Sequence, residues 1–244
     1  MSAFEEMRTI HMYLPHDYME SQERYPVLYM FDGHNLFNDE DATYGQSWRL
    51  ADAIHRQKRK IIVVGVECSH EGYDRLDEYG PYPFADVDYM RSFEGHGDQT
   101  MDFMINDLKP YIDAHFPTLP FRETTWIGGS SCGALMALYA HMNFSEIYSK
   151  SLVISPFVTP TEEYLYINAF QCELCDENEM YMSWGALEDG KHEFSRVSNI
   201  CMKLVSILKE KGMYFHINVK MDGRHCEEDW AKECDEFLDF LFDE

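Results

Sequence analysis

The sequence predicts an α/β fold, with a mainly parallel central sheet flanked by helices on both faces. Three observations predict it. Short apolar runs suited to buried strands alternate with segments of helical period, the pattern of successive βαβ crossovers. One run, Ile61-Ile62-Val63-Val64-Gly65-Val66, is apolar at successive positions, so both of its faces need cover, as in a parallel sheet. A third run, Thr124 to Gly128, meets a helix pattern through a short glycine-flanked turn, Gly129-Ser130-Ser131-Cys132-Gly133.

Each element follows in order. Thr9 to Leu14 reads as a strand with no helix after it, so it is expected to pair antiparallel at an edge. Pro26 to Phe31 is the next strand, and Ser47 to Arg56 a helix with Ser47 as its N-cap candidate. Ile61 to Cys68 follows as a strand expected to lie centrally. Ser69 to Gln99 lacks periodicity and is rich in Gly, Asp and aromatics (Tyr73, Tyr79, Tyr82, Phe84, Tyr89, Phe93). It starts at the carboxyl edge of the sheet, so 69–99 is read as a loop insertion on the substrate side. Thr100 to Phe116 places Met104, Leu108, Tyr111, Ile112 and His115 on one side of a helix, with Thr100 as a cap and Pro110 expected to kink or split it. Thr124 to Gly128 is a strand, and Leu135, Leu138 and Tyr139 return at helical spacing after it. Ser151 to Ser155, Met180 to Leu187 and Tyr214 to Met221 complete the strands. The last helices are Lys191 to Lys211, stopped by Gly212, and Glu227 to Phe242. With no repeat, low-complexity tract or linker, residues 1–244 read as a single domain.

Composition narrows the function classes. The formal net charge of −24 disfavours nucleic acid and anionic membrane surfaces, which need Lys and Arg. No apolar run approaches the roughly 18 residues of a membrane span. The N-terminal Met1-Ser2-Ala3-Phe4-Glu5-Glu6 lacks a basic region followed by an apolar one, so a cytoplasmic protein is expected. Seven cysteines at scattered spacing suit free thiols. Cys172 and Cys175 form a C-x-x-C without a matching second pair, so no metal is expected there.

The glycine-flanked turn carries the chemistry. Strand, G-x-S-x-G and helix make the nucleophile elbow of the α/β-hydrolases. Gly129 and Gly133 flank the apex because a Cβ there would strike a neighbour, and Ser131 then presents its hydroxyl over the start of a helix. A base should follow far downstream, and His225 in Met221-Asp222-Gly223-Arg224-His225 sits between the last strand and the last helix. His192 and His216 are rivals, one opening a helix and the other inside a strand. The orienting acid should follow the strand Met180 to Leu187, where Glu188 is preferred and Asp189 is the alternative. The oxyanion hole needs two N–H donors. Cys132, after the nucleophile, supplies one; the loop Asp32-Gly33-His34-Asn35 supplies the other, from His34 with Asn35 as the alternative. Asn35, Tyr79 and Tyr82 are the expected substrate contacts.

With these residues in place, the chain resembles the putative-esterase family of α/β-hydrolases, the relatives of esterase D, feruloyl esterase and enterobactin esterase. The resemblance covers almost the whole length. It rests on P-V-L-Y-M-F-D-G-H-N-L-F at Pro26 to Phe37, G-H-G-D at Gly95 to Asp98, L-K-P-Y-I-D at Leu108 to Asp113, I-G-G-S-S-C-G at Ile127 to Gly133, and G-R-H at Gly223 to His225. It implies a serine esterase acting on small or sugar-borne acyl esters, with Ser131 as nucleophile, His225 as base, and no metal or organic cofactor. The departure is at Cys132-Gly133-Ala134, where relatives often carry Met and two glycines. A small-molecule ester is the expected partner, with a homo-oligomer left open. Two other readings keep the fold: an acyltransferase using the same triad, and a catalytically silent binding protein.

Overall fold

The computed structural model describes residues 7–86, 90–188 and 193–243. Its centre is a seven-stranded sheet in the order β1-β3-β2-β6-β7-β8-β9. The strands are β1 (Ile10–Tyr13), β2 (Val27–Phe31), β3 (Ile62–Val66), β6 (Thr125–Ser130), β7 (Lys150–Ile154), β8 (Asn178–Gly185) and β9 (Met213–Lys220). All neighbours pair in parallel except β1, which runs antiparallel to β3 at the edge as expected. A separate two-stranded hairpin, β4 (Phe84–Asp86) with β5 (Arg91–Phe93), lies in the segment expected to be a plain loop.

Alternation along the strands sends side chains into two cores. Tyr29, Phe31, Val64, Ile127, Val153 and Met182 face one layer, with helices α3 (Gly97–Asp102), α4 (Lys109–His115), α5 (Cys132–Asn143), α6 (Glu162–Gln171) and α7 (Glu193–Glu210). Leu28, Met30, Val63, Trp126, Leu152 and Tyr181 face the other, with α1 (Leu50–Gln57), α8 (Glu227–Ala231) and α9 (Cys234–Phe242). The remaining short helix, α2 (Asp74–Glu78), lies within the 69–99 segment. α5 is buried all round, from Cys132 through Leu138, which fixes the direction in which the chain leaves the central strand β6.

Several local expectations are corrected. β3 stands second from an edge, yet it is covered on both faces and buried throughout. α1 starts at Leu50, and its cap Arg49 has left-handed backbone angles. The Ser47 hydroxyl turns to Asp39 (2.9 Å) and also accepts the Arg49 N–H (3.3 Å). Thr100 is no cap, because the helix already runs from Gly97 and the Thr100 hydroxyl donates to the Glu78 carbonyl at 2.7 Å. Pro110 does not break the helix. A wider π turn, Phe103–Leu108, leads into α4 and loosens the backbone just where the proline ring would crowd the preceding turn. The last helix splits into α8 and α9. Between them the buried Glu233 carboxylate reaches Tyr181 Oη (3.0 Å) and Lys220 Nζ (3.1 Å). α6 carried no clear apolar stripe; its buried residues are Leu165 and Ala169. Among the described residues, no helix is long and apolar enough to cross a membrane.

Candidate active site

Six strands deliver residues to one region at the carboxyl edge of the sheet, where open α/β folds bind ligands. Asp32 to Asn35 follow β2, Cys68 to His70 follow β3, and Ser131 follows β6. Ser155 follows β7, Glu188 follows β8 and His225 follows β9. A cleft of about 400 Å³ lies here, lined among others by Asp32, His34, Asn35, Arg75, Ser131 and His225.

Ser131 stands at the apex of the β6–α5 turn with φ 56° and ψ −121°, a conformation that L side chains rarely adopt. Such strain costs on the order of 1–3 kcal/mol and persists only where the surroundings enforce it. Here they do. The Ser131 N–H donates to the Ile154 carbonyl at 3.1 Å, and its carbonyl accepts the N–H groups of Leu135 and Phe157, each at 3.1 Å. The flanking glycines are demanded by contact. A Cβ on Gly129 would lie 2.6 Å from the Gly133 carbonyl carbon, and one on Gly133 would lie 2.9 Å from Phe31 Cβ.

The Ser131 hydroxyl lies 2.9 Å from His225 Nε2, and His225 Nδ1 lies 3.2 Å from Glu188 Oε2. Ninety-four residues of chain separate the hydroxyl from the imidazole. Close packing of the loops after β8 and β9 brings the imidazole and the carboxylate together. Gly185 and Gly223 touch so closely that a Cβ on Gly185 would sit 2.3 Å from the Gly223 carbonyl oxygen, and the Leu187 N–H donates to that carbonyl at 2.9 Å. The other carboxylate oxygen of Glu188 accepts the Ser155 hydroxyl at 2.7 Å and the Gly185 N–H. Ser155 in turn accepts the Trp230 indole N–H at 2.8 Å, and the Trp230 ring lies edge-on to His225 with centroids 5.1 Å apart. The chain of contacts thus runs Ser131–His225–Glu188–Ser155–Trp230.

The opposite wall is built on a buried ion pair. Arg75 reaches both oxygens of Asp32, at 2.8 and 2.7 Å. Burial pushes the Asp32 carboxyl up, but the charge and hydrogen bonds of Arg75 outweigh it and hold it below the ordinary carboxylate range. The Asp32 N–H donates to Tyr79 Oη at 3.2 Å. This pair braces the Asp32–Asn35 turn against the helix start, where Gly133 leaves room for the carboxylate. Burial lowers the His34 imidazole below its ordinary pKa, with the nearby Asp32 carboxylate opposing it. Burial also keeps the Cys132 thiol protonated.

The expected site residues do not all gather here. Asn35 lines the cleft, but its side-chain oxygen is taken by the Thr43 N–H at 3.0 Å. Tyr79 is not a cleft residue. It is buried beneath the Asp32 turn, with its ring 5.0 Å from that of Phe31. Tyr82 also lies outside the cleft lining, stacked on Tyr164 at 5.4 Å and bound to Asn168 at 2.7 Å. The large apolar rings of the 69–99 segment serve packing, and its polar start, Ser69, His70 and Arg75, lines the cleft. His216 stacks on Tyr181 and meets Glu236 at 3.0 Å, away from Ser131. Asp189, His192 and Tyr89 lie outside the described residues. Sequence reasoning missed Ser155, Trp230 and Arg75. Trp230 read as core from its spacing, and Ser155 as a strand end.

Comparison with known proteins places the chain among esterases by sequence and by fold. Residues 1–234 match the family described as Putative esterase. The chain is 25% identical over 213 residues to the uncharacterized protein YbbA of Bacillus subtilis (strain 168), covering 84% of this chain and 79% of that one. It is 30% identical over 139 residues to the siderophore triacetylfusarinine C esterase of Aspergillus fumigatus, covering 54% of this chain and 44% of the relative. Among solved structures, an IroE-like serine hydrolase from Shewanella oneidensis superposes with a TM-score of 0.76 at 19% identity. That match covers 100% of this chain and 79% of the other.

Proposed function

We propose, from the premise that the chain belongs to the Putative esterase family and is a carboxylic ester hydrolase, that it acts through a Ser131–His225–Glu188 triad and an acyl-enzyme. The observation that carries this reading is the unbroken hydrogen-bonded line from the strained Ser131 hydroxyl through His225 to Glu188. His225 Nε2 takes the Ser131 proton as the hydroxyl attacks the ester carbonyl. Glu188 holds the Nδ1 proton and stabilises the imidazolium. The backbone N–H groups of Cys132 and His34 receive the oxyanion, each contributing about 3 kcal/mol where such donors have been removed. Cys132 is well suited, since the first amides of a helix have no partner within it. Alcohol then leaves with the proton from His225, and water repeats the sequence on the acylated serine.

The cleft supports a small acyl group. About 400 Å³ is near the lower end for small-molecule sites, and its walls are largely polar or charged. A short acyl chain fits within it, with a larger hydroxylated or sugar-borne alcohol lying outside. The siderophore esterase among the relatives makes lactone and polyester siderophores a second class to screen. Seven unpaired cysteines support a reducing, cytoplasmic setting.

The test is turnover of p-nitrophenyl acetate by the wild type and by Ser131→Ala, followed by a panel of acetyl, feruloyl and lactone esters. The variant should lose about 10⁴-fold or more in kcat. Wild-type turnover by the variant would reject Ser131 as the nucleophile.

A further inference from the structure

The proposed mechanism uses the His34 backbone and leaves its side chain idle, although that side chain is 3% exposed and lines the cleft. Its Nε2 meets Thr43 Oγ1 at 2.9 Å, and its Nδ1 is buried with no hydrogen-bond partner among the described residues. A buried ring nitrogen without a partner is costly, on the order of 1–3 kcal/mol, unless something else satisfies it. Two metal-ligating side chains stand beside it. The His70 ring lies 4.7 Å from the His34 ring at 73°, and Cys68 is buried on the same wall. One ring nitrogen of each histidine and the Cys68 sulfur all lie within 4.8 Å of one another.

We propose that His34, Cys68 and His70 form a binding site for a soft divalent transition-metal ion, and that an ion seated there blocks ester turnover. The donor set decides the class of ion. Two imidazoles and a thiolate suit Zn²⁺ or Co²⁺ and are poor ligands for Mg²⁺ or Ca²⁺. Bond lengths of about 2.0–2.3 Å place three ligand atoms roughly 3.5 Å apart around one ion. The approach still needed is on the order of 1 Å, and the exposed His70 ring can supply it by pivoting about its contact with Glu67. Outer partners are in place. Glu67 Oε1 meets His70 Nε2 at 2.7 Å and Thr43 holds His34 Nε2, the kind of support that orients a ligating imidazole. On binding, the Cys68 thiol loses its proton to solvent and its sulfur bonds the ion. His34, Cys68 and His70 line the same cleft as Ser131, so an ion held by them takes up space that an ester needs.

Binding stands apart from the esterase reading; the blocking effect rests on it. The experiment therefore reads binding first in full-length Ser131→Ala, which needs no turnover. Co²⁺ should bind at one ion per chain with a near-ultraviolet thiolate-to-cobalt band and intense visible bands, displaced by Zn²⁺. In that background Cys68→Ser should abolish the thiolate band, and His70→Gln should weaken affinity about 10–100-fold. Cys175→Ser, which removes an exposed thiol elsewhere, should leave both unchanged. Thermal melting checks that each variant is folded. In the wild type, equimolar Zn²⁺ should abolish p-nitrophenyl acetate turnover and EDTA should restore it, with His70→Gln resisting inhibition relative to its own metal-free rate. A thiolate band that survives Cys68→Ser, or no Co²⁺ binding at all, overturns the site. Co²⁺ binding with undiminished turnover overturns the blocking role.

Discussion

Removing the Ser155 hydroxyl should weaken the site without touching any group that reacts. Ser155 Oγ sits between two partners, donating to Glu188 Oε1 at 2.7 Å and accepting the Trp230 indole N–H at 2.8 Å. Both Ser155 and Trp230 are buried. In Ser155→Ala the indole N–H loses its acceptor, which costs about 1–3 kcal/mol of stability. At roughly 2–4 °C per kcal/mol for a chain of this size, the melting temperature should fall by several degrees. Glu188 keeps the Gly185 N–H and His225 but loses one hydrogen bond, and bonds to charged groups contribute about 1.5–3 kcal/mol. If half of that is lost from the transition state, kcat falls by about 4- to 13-fold with KM little changed. Ser155→Gly separates the two effects. Ser155 has φ 50°, which Gly adopts freely, so Gly should recover up to about 1 kcal/mol of stability relative to Ala while kcat stays equally low. Steady-state kinetics and thermal melting read both quantities. Wild-type kcat in both variants would refute the idea that Ser155 positions the acid.

Three further outcomes follow from the same geometry. Glu188→Gln should lower kcat by about 10³–10⁴ through loss of the imidazolium's partner, while Asp189→Asn should retain most activity; the opposite ranking would move the acid to Asp189. Gly133→Ala should destabilise the fold by about 1–3 kcal/mol, since its Cβ would meet Phe31 Cβ at 2.9 Å and Asp32 Oδ2 at 3.2 Å, and an unchanged denaturation midpoint would contradict that packing. Asp32 carries a pH signature. Because its native carboxyl is held below the unfolded value of about 3.9, its contribution is complete above that value and is lost as pH falls through the native one. Arg75→Met leaves a buried carboxylate without its partner and should cost about 3 kcal/mol at neutral pH. That deficit should shrink toward about pH 4, where burial lets the variant's Asp32 protonate; a deficit independent of pH in urea titrations would argue against the pair.

The sheet was legible because its inner strands are apolar on both faces and α1, α7 and α9 carry apolar stripes, whereas α6 has no such stripe and went unread. The order of strands was not, since β3 reads like a central strand and stands next to an edge. Helix boundaries slipped where side chains found long-range partners. Ser47 bonds Asp39 instead of capping a helix, and Glu233 turns inward to Tyr181 and Lys220. At the site, the turn around Ser131 and the loop around His225 were visible because backbone geometry demands glycine there. The supports were invisible for the opposite reason. Nothing local marks Ser155 or Trp230, which meet Glu188 and His225 only after the chain has crossed the sheet several times. Tyr79 and Tyr82 misled because an aromatic-rich loop looks like a binding surface, whereas here the rings pack the segment onto the core.

The most direct measurement of the central claim is covalent labelling with a fluorophosphonate, read by peptide mass spectrometry. One phosphonyl group should be found on the peptide that contains Ser131, and labelling should slow sharply in His225→Ala, where no imidazole can take the proton. Modification elsewhere, or equal labelling rates with and without the imidazole, would contradict a serine activated by His225.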